Sequence, residues 1–172
     1  MFEKFGEFDS VEEMNKAAAA QLAEGDEEAL YALAEENGID KFDVDDYVDG
    51  VVPELANPLM AAMGKFEIEK SEFKDFDGMV MDDWLEYVKV CIGESEEMQR
   101  AVRRKGKTLR QCIVELLRWS FQNMKQVNKE LAKAAGLNDN MASNLKLGIP
   151  NMKKSKDIIR EYYMGGGQNE SV

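Results

Sequence analysis

Only three prolines, Pro53, Pro58 and Pro150, interrupt this 172-residue chain, so helices of several turns can run between them. Apolar residues recur there at three- and four-residue spacing, most runs opened by a capping residue and closed by glycine. The pattern predicts an all-α multi-helix bundle. Hydrophobic residues make up 44% of the chain, enough for a real core and too many for global disorder.

The spacing places the elements. Ser10-Val11-Glu12-Glu13 is a capping box, with Glu13 reaching back to the cap. The helix it opens carries Val11, Met14, Ala17, Ala18 and Leu22 inward and stops at Gly25. A second, from Asp26, turns Leu30, Leu33 and Ala34 inward and ends at Asn37-Gly38. A third covers Lys41 to Val48. Asn57-Pro58 is an N-cap with proline at N1, and the helix it starts is expected to stop at Gly64. Phe66-Glu67-Ile68-Glu69 alternates, but a lone strand forms no sheet, so irregular chain or a helix end is expected there. Ser71 to Gly78 is the linker candidate, although a loop within one bundle is equally compatible with it. Met79 to Cys91 is helical with Trp84, Leu85 and Val88 inward. Ser95 caps a helix with Met98, Ala101 and Val102 inside and Arg100, Arg103, Arg104 and Lys105 outside. Thr108-Leu109-Arg110-Gln111 is a second capping box. It opens the central core helix, with Leu109, Cys112, Ile113, Leu116, Leu117, Ser120 and Phe121 in one stripe and Trp119 at its edge. A helix through Val127, Leu131, Ala134 and Ala135 ends at Gly136. Asn138 to Asn144 reads as loop, and a last helix from Pro150-Asn151 holds Met152, Ile158, Ile159 and Tyr162. The division expected is an acidic helical subdomain over 1–70, packed on or linked to a basic helical core subdomain over 79–164, with a disordered tail over 165–172.

Charge is split along the chain. Residues 1–50 carry 3 Lys/Arg against 16 Asp/Glu, a net of −13. Residues 51–100 carry 5 against 12, and residues 101–172 carry 14 against 6, a net of +8. Such asymmetry points to charged partners more than to a reaction. The acidic residues Glu24, Asp26, Glu27, Glu28, Glu35, Glu36, Asp40, Asp43, Asp45, Asp46 and Asp49 form a carboxylate sheet on helices. A solvated face that keeps the protein soluble is one reading. Nucleic-acid mimicry is the sharper one, in which carboxylates occupy a Lys/Arg groove that normally tracks phosphates. The basic residues fall in two runs, Arg103, Arg104, Lys105, Lys107 and Arg110, then Lys153, Lys154, Lys156 and Arg160. The first run brackets a helix end and a helix start, where cations and free amides can both face a phosphate. Alternatively these cations neutralise the acidic half. Neither stacking aromatics nor a clear recognition helix is visible.

Catalytic chemistry is thin. The chain has no histidine, which removes His-based general catalysis, His metal ligands and Ser-His triads. No phosphate-cradling glycine motif occurs, and two cysteines make no zinc site. Asp43 to Gly50 is acid-rich, but no frame puts glycine sixth and glutamate twelfth, so a calcium loop is rejected. Neither an enzyme nor a cofactor nor a metal is expected. Cys91 and Cys112 suit buried thiols in a reducing cytosol. The acidic start from Met1 to Glu7 is unlike a signal peptide, no apolar run is long enough to span a bilayer, and a cytoplasmic protein without membrane contact is expected.

Lys105, Thr108, Leu109 and Cys112 opening a long helix, with Ile158-Ile159-Arg160-Glu161-Tyr162-Tyr163 closing the last one, resemble the PcfK-like proteins of mobile genetic elements. The resemblance covers about Lys105 to Met164 and carries no catalytic residues. It implies a mobile-element origin, and within that group are inhibitors of the type II CRISPR effector nuclease. The expectation is therefore an anti-CRISPR protein that binds the guide-loaded nuclease and blocks DNA binding, with the carboxylates above as contacts. The basic half would then rest on guide RNA or on the nuclease. The alternative is an accessory protein of a conjugative or other mobile element that binds nucleic acid through the two basic runs. A third reading is an adaptor that binds through an apolar patch near Trp84, Trp119 or Met60–Met81.

Overall fold

The computed structural model describes residues 4–76 and 79–165, and among them the fold is all-α, with one two-stranded ribbon. The elements are α1 (Val11–Glu24), α2 (Glu27–Glu36), α3 (Lys41–Val48), α4 (Pro58–Lys70), a 3-10 segment (Ser71–Phe76), α5 (Val80–Glu94), α6 (Glu96–Arg103), α7 (Leu109–Gln122), β1 (Lys125–Gln126), α8 (Lys129–Ala134), α9 (Asp139–Asn144), β2 (Lys146–Leu147) and α10 (Met152–Met164). No described helix is long and apolar enough to cross a membrane.

Capping sets most of the boundaries. The Ser10 hydroxyl accepts from the Glu13 amide at 3.1 Å and Thr108 from Gln111 at 3.2 Å, each satisfying an orphan donor of a first turn. Glu13 reaches back one residue beyond the cap, accepting from the Asp9 amide at 2.6 Å. Asn57 caps α4 with Pro58 in its first turn, and Gly25 ends α1 in the left-handed conformation.

The core is organised as two clusters. Val11, Met14, Leu30, Leu33, Val44 and Leu55 from α1–α3 and the chain that follows bury one of them. Phe66, Trp84, Leu85, Val88, Ile92, Leu109, Leu116 and Ile159 from α4–α7 and α10 bury the other. They meet on α4, where Ala61 belongs to the first and Ala62 to the second.

Several expectations need correction. Gly64 does not stop its helix; α4 continues through Phe66–Glu69 to Lys70, with Gly64, Lys65, Phe66 and Glu69 buried. This glycine makes room for neighbouring backbone rather than ending a turn. Residues 71–76 of the linker candidate form the 3-10 segment directly after α4, and residues 77 and 78 lie outside the described residues. The loop expected at Asn138–Asn144 is the helix α9 behind an Asn138 cap. Phe121, expected in the core stripe, is exposed. Arg103, expected outside, is buried. Apart from Gly165, the tail placed at 165–172 lies outside the described residues.

Candidate functional site

The carboxylates of α1–α3 and their connections face solvent. Glu24, Asp26, Glu27, Glu28, Glu35, Asp40, Asp46 and Asp49 are exposed, and Glu36, Asp43 and Asp45 are half-buried. Four of the eleven have structural work. Asp26 and Asp40 cap α2 and α3. Glu36 accepts from the Lys4 and Phe5 amides at 2.8 and 2.9 Å. Asp45 accepts from the Tyr31 hydroxyl, and that hydrogen bond raises the Tyr31 pKa to about 12. The other seven, Glu24, Glu27, Glu28, Glu35, Asp43, Asp46 and Asp49, form no ion pair among the described residues. Like charges of this density repel one another and lack internal compensation, so they attract an external cationic surface.

A cleft of about 240 Å³ opens in this face. Asp43, Asp46 and Glu54 line it together with Val52, Pro53, Leu55 and Met60. Carboxylates beside apolar wall suit a lysine or arginine side chain, whose methylenes need apolar contact and whose head needs an anion. Glu54 and the Val52–Leu55 wall carry no sequence motif that marks them as a site. Pro53 between two helical segments was the available signal for a bend that could frame a cleft.

The basic runs are largely committed within the molecule. Arg103 is 2% exposed and donates to the Asn37 side chain at 2.7 Å; its guanidinium also lies over the Phe8 ring. Arg110 pairs with Glu72 at 2.9 Å. Lys107 donates to the Tyr162 carbonyl at 2.7 Å and stands over that ring. Lys156 and Arg160 both pair with Glu94, which holds the Glu94 carboxyl below its usual range. Arg104, Lys105 and Lys153 are exposed and Lys154 is partly so.

The place read as a phosphate site, between the end of α6 and the start of α7, already holds anions of this chain. Glu69 accepts from the Leu109 amide at 2.6 Å, Glu7 from Gly106 at 3.1 Å and Asp9 from Lys105 at 3.3 Å. Beneath them Lys65, 1% exposed, donates to Glu7 at 2.5 Å and to the Arg104 carbonyl at 3.0 Å. Burial pulls the Lys65 pKa down and pushes that of Glu69 up. This buried network ties the acidic segment to α4, α6 and α7. No sequence pattern signals it: Glu69 falls in the alternating Phe66–Glu69 stretch, and Lys65 follows the glycine expected to end the helix.

Trp84 is buried and Trp119 half-buried, so neither offers an open aromatic anchor. Cys91 and Cys112 are buried free thiols. Among the described residues no group of His, Cys, Asp and Glu could hold a metal ion. Asp43–Val48 is helix rather than loop. Comparison of the chain with protein-family models, curated proteins and solved structures gives no match.

Proposed function

We propose that this protein acts by binding rather than by catalysis, and that its acidic α2–α3 face docks into a cationic nucleic-acid groove of a partner enzyme. The observation that carries the reading is the set of seven carboxylates without ion pairs among the described residues, two of which, Asp43 and Asp46, line a cleft of a volume that admits a basic side chain. A groove built to hold phosphates offers lysines and arginines at the spacing such a face can meet. The resemblance of Lys105–Met164 to PcfK-like proteins supplies the candidate partner, a guide-loaded type II CRISPR effector nuclease. Occupation of its DNA channel would block DNA binding.

The test is order of addition. The protein is given to the guide-loaded nuclease before or after a matched DNA, and cleavage is measured. Inhibition only when the protein comes first is the expected result. Inhibition in both orders moves the effect to the cleavage step, and cleavage unaffected in either order removes this partner.

A further inference from the structure

Residues 121–149 stand apart from both cores, with only Ala132 and Ala142 buried in the whole stretch. Within it β1 and β2 pair antiparallel, Lys125 opposite Leu147 and Gln126 opposite Lys146, and the Val127 amide donates to the Leu145 carbonyl at 2.9 Å. This short ribbon closes the base of a helix pair. Asn128 caps α8 and Asn138 caps α9. Between the helices Gly136 takes a left-handed φ of 90°, and the Leu137 amide returns to the Ala132 carbonyl at 3.2 Å. Ala132 on α8 and Ala142 on α9 are the buried contacts, and their small side chains let two short helices lie close. Two helices joined by a four-residue turn containing glycine have the connection found in αα-hairpins and helix-turn-helix units.

We propose that β1–α8–α9–β2 is a duplex-DNA-binding module with α9 as its reading helix. Three observations point to this occupant. First, α9 buries only Ala142 and exposes Asp139, Asn140, Met141, Ser143 and Asn144. Asparagine and serine read base edges in the major groove, and an apolar side chain such as Met141 suits a thymine methyl. Second, the charge reverses sign here. Residues 125–147, the module itself, hold four lysines against Glu130 and Asp139, a net of +2 in a chain of net −12. Lys125 and Lys146 flank the pair on adjoining ribbon strands, both exposed. Third, the one carboxylate at the start of α9 is ion-paired, although it stays exposed. Asp139 pairs with Lys133 at 2.7 Å and with Lys129 at 3.3 Å, which holds its carboxyl below the usual range and removes a repulsion from phosphate. The sequence showed no recognition helix because Asn138–Asn144, rich in asparagine, reads as a loop until the Asn138 cap is seen to start a turn.

This module is distinct from the acidic face, and its test does not involve a nuclease. The full chain is titrated into a labelled mixed-sequence DNA duplex, the corresponding single strand and an RNA duplex. Expected is preferential binding of the DNA duplex, weakening steeply between about 50 and 200 mM salt. Lys125→Glu with Lys146→Glu should weaken it about tenfold or more and flatten the salt slope by about two. Asn140→Ala with Asn144→Ala should keep bulk duplex affinity within about threefold while changing the sequence selected from a randomised duplex pool. All four positions are exposed, and circular dichroism checks that helicity is kept. No duplex binding at the low salt, binding unchanged in the lysine variant, preference for the single strand or RNA, or association of copies through this module without DNA would each overturn the proposal.

Discussion

Gly38 and Gly64 meet backbone to backbone: a Cβ built on Gly38 would lie 2.5 Å from the Gly64 carbonyl oxygen. The contact seats the end of α2 against α4, and Gly38 also needs its left-handed φ of 70°.

Gly64→Ala should therefore destabilise the protein by about 1–3 kcal/mol, as overpacking does, although alanine is the better helix former. Gly93→Ala, in α5 with open space around it, should gain about 0.5 kcal/mol instead. Urea denaturation of the two variants decides whether packing or propensity governs Gly64.

Lys65 is the buried cation between Glu7 and Glu69. Lys65→Ala should cost about 3 kcal/mol, the low end for breaking a buried pair because Glu7 keeps some solvent contact. A loss under about 1 kcal/mol would place the pair with exposed bridges and contradict its role as a tie.

High pH should unfold the protein early. The Tyr31 hydrogen bond to Asp45 and the burial of Tyr162 raise both pKa values to about 12, and burial raises Tyr163 well above its usual value. Groups with raised folded pKa values contribute stability that is complete below the unfolded value of about 10 and is lost as pH rises through the folded one. Chemical denaturation midpoints should hold up to about pH 10 and fall beyond it. Tyr31→Phe should make that fall shallower.

Charge reversal tests the acidic face. Asp43→Lys, Asp46→Lys and Asp49→Lys together should weaken binding to the guide-loaded nuclease about 100-fold or more, with helicity unchanged. Asp45 and Asp40 are left alone because one holds Tyr31 and the other caps α3. Asp83→Lys on α5, exposed and remote in sequence, is the control and should bind as the parent does. Equal inhibition by the triple variant would sink the mimicry reading.

What could be read from the sequence was local. Ser10, Asn57, Ser95 and Thr108 each announce a helix because a cap acts on amides two or three residues away. The stripe Leu109, Cys112, Ile113 and Leu116 is a core stripe for the same short-range reason. The missed features depend on partners far along the chain. Gly64 looks like a stop until Gly38 is beside it. Arg103 looks like a surface cation until Asn37, 66 positions away, receives it. The acidic residues were legible as a charged set, but Asp9 and Glu7 accept from amides nearly a hundred residues on, which composition could not separate from carboxylates that bind nothing in the chain.

Helix α4 is a wall of both hydrophobic clusters, so neither can melt and leave the other intact. Heating should give one calorimetric transition, with van't Hoff and calorimetric enthalpies in agreement. Amides near Ala61 and Ala62 should exchange with solvent as slowly as any in the molecule. A ligand that clamps the acidic end would then raise the melting temperature of α10 at the far end of the chain, without touching it.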